Sequence, residues 1–237
     1  MLRSPMWILI GIAQPVTYLL LFTPFLKPAL ASMGAVTYAD AFRIYVPGLL
    51  VVMCLYGGLF AGLGLLAEVR AGIVERTRVT PVSRSALLLG RALRDVFNLL
   101  AQALIITLMA LPFGLSVVLG DLLLAYALLF LIGLMATAIS YDLVLLIRNE
   151  GVLGPAINTV AQPLALLAGV LLPLALAPLW MQNVANWNPF FWATDGMRAL
   201  FDGNVGSPVV WQSVTIVGVL AVATVLLSSR LFNREIR

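Results

Sequence analysis

The sequence predicts an all-α membrane protein with six transmembrane helices. Hydrophobic residues make up 62% of the 237 residues and charged residues only 10%, whereas soluble domains carry about 25% charged residues. Several uncharged stretches reach the length of about 20 helical residues that crosses a hydrocarbon core of about 30 Å. Basic residues collect on alternate loops between these stretches. We therefore interpret residues 1–237 as a single transmembrane domain.

Six spans follow from the uncharged stretches. They are predicted at about 6–26, 45–67, 94–113, 121–146, 152–173 and 209–229. The first is expected to stay a span rather than a cleaved signal peptide, because its apolar run is too long and no small-residue cleavage site follows. The uncharged stretch 151–194 would extend about 66 Å as one helix, about twice the hydrocarbon thickness. Residues 174–208 are therefore predicted to form an outer re-entrant segment that does not cross.

The distribution of basic residues predicts that both termini lie in the cytoplasm. Of the 14 Lys and Arg residues, only Lys27, Arg43 and Arg198 fall on the predicted outer side, and basic residues favour cytoplasmic loops. Four tryptophans fall near the predicted outer interface, as in an aromatic belt: Trp180, Trp187, Trp192 and Trp211. The net charge of +4 follows this topology and does not indicate a nucleic-acid partner.

Several kinds of active site are excluded by residues that the sequence lacks. The chain has no His, which excludes His-ligated metal sites and His-based triads. Its one Cys, Cys54, cannot form an internal disulfide. No G-x-x-x-x-G-K-[ST] phosphate loop and no G-x-S-x-G elbow occurs. We predict no catalytic residue, no metal site and no cofactor in this chain.

The loop 68–91 between the second and third spans carries the densest charge. Gly72 and Pro81 interrupt it, and residues 73–79 between them can form about two helical turns. Ser83 can cap the next helix. We predict a short helix across the cytoplasmic ends of these two spans, which can transmit a push from a soluble partner. The alternative is a topology signal with snorkelling anchors.

This loop resembles the permease subunits of type-2 ABC exporters, the group that includes daunorubicin-resistance and polyketide-antibiotic exporter permeases. The resemblance implies that the loop contains the coupling helix that docks on an ATPase subunit. It also implies outer re-entrant helices before the sixth span. The matching loop residues are Glu68, Arg70, Gly72, Glu75, Arg76, Thr80, Pro81, Ser83 and Arg84, and the matching outer residues are Pro173, Pro178, Trp180, Asn188 and Pro189.

The resemblance also implies partners and a location. ATP and Mg²⁺ are expected on a separate ABC ATPase, present in two copies. A second permease copy, as a homodimer or a related subunit, is expected to complete the pathway in a bacterial inner membrane. The substrate is expected to be hydrophobic or amphipathic. Drug, polyketide and glycolipid substrates are not separable from the sequence, and a polysaccharide is less expected.

Polar residues within the predicted spans have two interpretations. Gln14, Tyr18, Asn158 and Gln162 are candidates for lining a pathway, and hydrogen bonds between helices are the alternative. Asp142 is the carboxylate that a proton- or sodium-driven carrier, the second hypothesis, would use. Its predicted place is the inner interface, near Arg148, rather than mid-membrane.

An intramembrane enzyme is a third hypothesis for the function. No cluster of a nucleophile and a base in the sequence supports it. The glycines Gly57, Gly58, Gly62 and Gly64 in the second span are expected to allow close helix packing rather than ligand contact.

Overall fold

The computed structural model describes residue 17 and residues 37–72, 84–115, 117–147, 149–170, 174 and 177–235. These ranges are helical and contain no β-strand, which confirms the predicted all-α class. The helices are α1 (Tyr38–Arg70), α2 (Arg84–Ala110), α3 (Leu119–Ile147), α4 (Glu150–Leu167), α5 (Leu179–Ala185), α6 (Pro189–Phe201) and α7 (Pro208–Glu235). A 3₁₀ turn, Leu111–Phe113, extends α2.

Four helices are long and apolar enough to cross a membrane. They are Ala39–Arg70, Ala86–Phe113, Leu119–Ile147 and Pro208–Leu231, and they coincide with the second, third, fourth and sixth predicted spans. The apolar helix Gly151–Leu167 is shorter. It ends before the predicted limit at residue 173, and the chain turns just after it at Gly169, which has a φ of 69°. The predicted first span lies outside the described residues except for Thr17, so the count of six spans stays a prediction.

The longest of these helices, α1, has a defined signal at each end. Thr37 caps its start, where the Thr37 hydroxyl accepts from Asp40 N at 3.3 Å and Thr37 N donates to Asp40 Oδ2 at 2.9 Å. This reciprocal pair satisfies backbone donors that the first helical turn leaves free. At the other end the chain turns at Gly72 with a φ of 67°, a conformation that glycine adopts without steric cost. The helix thus begins ahead of the predicted residue 45.

The centre of the fold is the close contact of α1 with α3. A Cβ on Gly58 would lie 2.6 Å from the Ala136 Cβ, and a Cβ on Gly62 would overlap Ser140. The Ser140 hydroxyl accepts from Gly62 N at 3.1 Å and donates to Leu59 O. Small residues on both helices therefore let the two backbones approach, as helix pairs in membranes favour.

The expectation of close packing holds for three of the four glycines in α1. A Cβ on Gly57 would overlap Leu99 of α2, so α1 contacts its two neighbours through different glycines. A Cβ on Gly64 would meet no described residue within 4 Å, so close packing there stays a prediction. Gly64 lies on a side of α1 that no other described element approaches closely.

The remaining helices surround this central pair. Helices α2, α4 and α6 pack against α1, while α6 and α7 pack against α3. The bundle has two ends that matter for function. We call the end where α1 finishes and α2 begins the Glu68 end, and the opposite end, where α5 and α6 lie, the Arg198 end.

Candidate functional site

The Glu68 end holds a cluster of charged side chains that joins α1 to α2. Glu68 Oε2 lies 2.6 Å from Arg91 Nη2, and Glu68 Oε1 lies 3.6 Å from Arg94 Nη1. Arg94 Nε contacts Asp95 Oδ1 at 2.9 Å. The side chains of Glu68, Arg91 and Asp95 are 25%, 17% and 15% exposed and that of Arg94 is 45% exposed, so water screens the Glu68–Arg91 pair less than the pairs of Arg94.

The cluster continues into α3 through a buried tyrosine. The Tyr141 hydroxyl donates to Asp95 Oδ2 at 2.8 Å, and Tyr141 is only 1% exposed. A hydrogen bond to a carboxylate is stronger than one between neutral groups. Glu68, Arg91, Arg94, Asp95 and Tyr141, which we call the Glu68 network, therefore connect three helices at one end of the bundle.

The described residues include only part of the predicted coupling segment. Glu68 lies in the network, Arg70 is the last residue of α1, and Gly72 forms the turn after it. Arg84 is the first residue of α2. The other predicted coupling residues, namely Glu75, Arg76, Thr80, Pro81 and Ser83, lie outside the described residues. The ends of the two helices that flank this segment are thus held together by the Glu68–Arg91 pair.

At the Arg198 end, one arginine joins α6 to two other parts of the chain. Arg198 Nε donates to Ile44 O of α1 at 3.2 Å, and Arg198 Nη2 donates to Gly169 O, after α4, at 2.6 Å. Arg198 Nη1 lies 3.7 Å from Asp195 Oδ1 one turn away. The Arg198 side chain is 13% exposed, so it acts as a buried donor to main-chain carbonyls.

The start of α6 is fixed by a buried asparagine. Asn188 Oδ1 accepts from Phe190 N at 3.0 Å, which caps the helix, and Asn188 Nδ2 donates to Leu164 O of α4 at 2.8 Å. Pro189, the first residue of α6, suits this position because its missing N–H would be free there anyway. One side chain thus both starts α6 and ties it to α4.

Other predicted outer residues surround this unit. Pro178 directly precedes α5, while Pro173 lies outside the described residues. Trp180 and Trp187 are 67% and 90% exposed. Large apolar side chains exposed to this extent suit contact with a lipid interface better than contact with water.

A cleft of about 520 Å³ opens beside α6 at the same end. Its lining includes Asp195, Asp202, Asn204 and Ser207. Burial raises the pKa of Asp195 above the ordinary aspartate value of 3.8, and the nearby charge of Arg198 opposes that rise. Burial likewise raises the pKa of Asp202, against the charges of Arg43 and Arg198. The cleft is therefore acidic but partly balanced by neighbouring arginines.

The predicted pathway residues fall on α4. Asn158 and Gln162 are exposed and lie on the same face of this helix, while Leu153, Ile157 and Ala161 are buried against the bundle. Residues four apart share a helix face, so the two amides point away from the described core. The other two candidates, Gln14 and Tyr18, lie outside the described residues.

Asp142 is placed inside the bundle rather than on a surface. It is only 9% exposed, and its neighbour on α7 is Ser228. Its expected partner Arg148 lies outside the described residues. Asp142 is therefore packed between α3 and α7 in the described part of the bundle.

Sequence reasoning misses Asp95 and Tyr141, the two residues that extend the network into α3. Asp95 only marks the edge of an uncharged stretch in the sequence, and Tyr141 is one of six tyrosines. One signal is present, because Arg91 and Asp95 are four residues apart and so share a helix face. Nothing in the sequence shows that Tyr141 of α3 faces them.

Long apolar helices, small-residue contacts between them and charges gathered at the bundle ends define a multi-pass membrane protein. The chain belongs to the ABC-2 type transporter family, whose model matches residues 1–201. This confirms the resemblance seen in the sequence.

Similar proteins agree with the family assignment. The chain is 26% identical over 201 residues to the putative transport permease ycf38 of Porphyra purpurea, covering 84% of this chain and 69% of that protein. It is also 26% identical over 198 residues to the daunorubicin resistance ABC transporter permease protein DrrB1 of Streptomyces coeruleorubidus, covering 82% of this chain and 68% of that protein. Both relatives are named as permeases.

Proposed function

We propose that this chain is the membrane-spanning permease subunit of an ATP-driven exporter that moves a hydrophobic or amphipathic substrate out of the cell. The observation that carries the proposal is the family match over residues 1–201. A relative named for daunorubicin resistance supports a drug, antibiotic or lipid-like substrate. The chain itself performs no hydrolysis in this proposal, and ATP and Mg²⁺ bind to a separate ATPase subunit.

The Glu68 end is the proposed docking side for the ATPase. The segment between α1 and α2 contains the residues that resemble a coupling helix, and the Glu68–Arg91 contact of 2.6 Å holds the ends of its flanking helices together. A segment anchored in this way can move α1 and α2 as one unit when an ATPase pushes on it. Both termini and this segment are cytoplasmic in the proposal, and the membrane is a bacterial inner membrane.

The face of α4 supports a second permease copy around a shared pathway. Polar side chains at membrane depth usually face protein or water rather than lipid, and Asn158 and Gln162 are exposed in the single chain. We propose that these amides line the pathway between two permeases, a homodimer or a pair of related subunits. Two ATPase copies complete the assembly.

Co-purification from native membranes tests the proposal. The chain is solubilised in detergent and captured, in parallel with a Glu75→Ala/Arg76→Ala variant. An Asn183→Ala/Gln212→Ala variant serves as a control, because both residues are exposed at the Arg198 end. We expect an ATPase to accompany the native chain and the control but to be lost from the first variant. A chain that purifies alone contradicts the proposal and favours a carrier driven by an ion gradient.

A further inference from the structure

We infer that Asp95 and Tyr141 are positioning residues that transmit movement of the ATPase-docking segment to α3. This inference rests on the proposed function and adds a route for the coupling. Neither residue belongs to the segment that the family resemblance marks. The Tyr141–Asp95 hydrogen bond of 2.8 Å is the step that links the docking side to the central helix.

The first part of the route is ionic. Glu68, at the end of α1, contacts Arg91 and Arg94 on α2. Arg94 in turn contacts Asp95 at 2.9 Å. Because the Glu68 and Arg91 side chains are only 25% and 17% exposed, displacing the end of α1 without moving α2 would separate opposite charges of low exposure, which is unfavourable.

The second part of the route is a buried hydrogen bond. Asp95 uses one carboxylate oxygen for Arg94 and the other for the Tyr141 hydroxyl. Tyr141 is almost fully enclosed, so its aromatic ring cannot swing away without opening the core. A shift of Asp95 must therefore either move α3 or leave a buried hydroxyl without its acceptor, which costs free energy.

The third part of the route is the place of Tyr141 on α3. The preceding residue, Ser140, bonds to the α1 backbone at Gly62 N and Leu59 O. Adjacent residues of α3 thus contact α1 and α2 separately, and α3 also packs on α6 and α7. Movement of α3 at this point can therefore pass directly to α6 and α7, and through α6 to the Arg198 end.

A second tyrosine on α3 provides a matched control. The Tyr126 hydroxyl lies 3.0 Å from the Thr107 hydroxyl of α2, so it also joins α2 to α3. It contacts no member of the Glu68 network among the described residues. Tyr126→Phe and Tyr141→Phe each remove one hydroxyl from the same pair of helices, but only Tyr141→Phe cuts the proposed route.

The test measures hydrogen exchange in the purified permease–ATPase complex in lipid nanodiscs, without nucleotide and with Mg-ATP trapped by vanadate. In the native complex and in Tyr126→Phe we expect a nucleotide-dependent change in exchange in peptides from residues 136–147. In Tyr141→Phe we expect that change to shrink about tenfold, the size that one hydrogen bond to a charged group supports. In both tyrosine variants we expect ATPase co-purification and the rate of ATP hydrolysis to stay at the native level.

Asp95→Asn is a second variant that keeps the shape of the side chain. It weakens both contacts of residue 95, so we expect it to reduce the change in α3 as well. Equal changes in native and Tyr141→Phe complexes, or equal losses in both tyrosine variants, overturn the inference while the ATPase partner stands. If no ATPase accompanies the native chain, the proposed function fails first and this inference fails with it.

Discussion

The two ends of the bundle are held together by different kinds of contact. At the Glu68 end, carboxylates, guanidinium groups and a tyrosine hydroxyl contact one another, from side chain to side chain. At the Arg198 end, Arg198 and Asn188 donate to main-chain carbonyl oxygens of Ile44, Gly169 and Leu164. The first end depends on charge, and the second depends on where the backbone runs.

This difference has consequences for movement and for stability. Ion pairs between partly exposed side chains contribute little on average and weaken with salt. Buried hydrogen bonds to carbonyl groups require fixed backbone geometry, and losing a donor leaves the carbonyl unsatisfied. We therefore expect the contacts at the Arg198 end to contribute more to stability than those at the Glu68 end, and the contacts at the Glu68 end to be the more sensitive to salt.

The largest effect is expected from Arg198→Met. This substitution keeps an apolar stem but removes the donors to Ile44 O and Gly169 O, so the free energy of unfolding should fall by about 3 kcal/mol. Thermal unfolding in detergent can be followed by thiol labelling of Cys54, the one cysteine of the chain, which is fully buried. Arg230→Met, at an exposed position of α7, is the control. An equal loss in both variants would contradict the structural role of Arg198.

A smaller effect is expected from Asn188→Ala. It removes the cap of α6 and the bond to Leu164 O, which together should cost about 2 kcal/mol. Hydrogen exchange should show the loss mainly in peptides of α6, because both contacts lie at its start. Asn183→Ala changes an exposed asparagine of α5 and should leave α6 unchanged. Unaltered exchange of α6 in Asn188→Ala would show that the cap does not hold this helix.

The next largest effect is expected from Glu68→Gln, and the salt dependence of its loss of stability distinguishes the two ends. Loss of the charge should lower the free energy of unfolding by about 1 kcal/mol at low ionic strength. Raising the salt from about 0.1 M to about 1 M shortens the Debye length from about 10 Å to about 3 Å, so the difference from the native chain should shrink. The difference caused by Asn188→Ala should not change with salt. A salt-independent loss in Glu68→Gln would remove the contrast between the ends.

The sequence predicts the helical class well because hydrophobic length and charge spacing act locally. The long apolar helices coincide with predicted spans, and the resemblance to exporter permeases singles out Glu68 and Asn188. Gly58 and Gly62 also indicate close packing correctly, because small residues four apart form a flat helix face. Each of these features depends on residues that are near one another in the chain.

Contacts between distant residues are what the sequence does not show. Tyr141 meets Asp95, and Arg198 meets Ile44 O, only because the helices pack at particular rotations. Arg198 and Asn188 donate to main-chain carbonyl groups. Every residue has such a group, so no pattern of side chains in the sequence indicates which ones are used. Gly64 illustrates the same limit, since it has the same small size as Gly62 but only the fold shows that no described residue comes within 4 Å of a Cβ built there.

The smallest effect is expected from pH at the Arg198 end. Burial raises the pKa values of Asp195 and Asp202 above 3.8, so the folded state binds these protons more tightly than the unfolded state. Their contribution to stability is therefore fully present below 3.8 and is lost as the pH rises through the raised pKa values. Protection of α6 from hydrogen exchange, corrected for intrinsic rates, should increase as the pH falls from about 7 to about 4. The Asp195→Asn/Asp202→Asn variant should lack this increase, because an amide stays neutral throughout. Protection that instead rises with pH in the native chain would show that the arginine charges outweigh burial, and the Arg198 end would then depend on charge as the Glu68 end does.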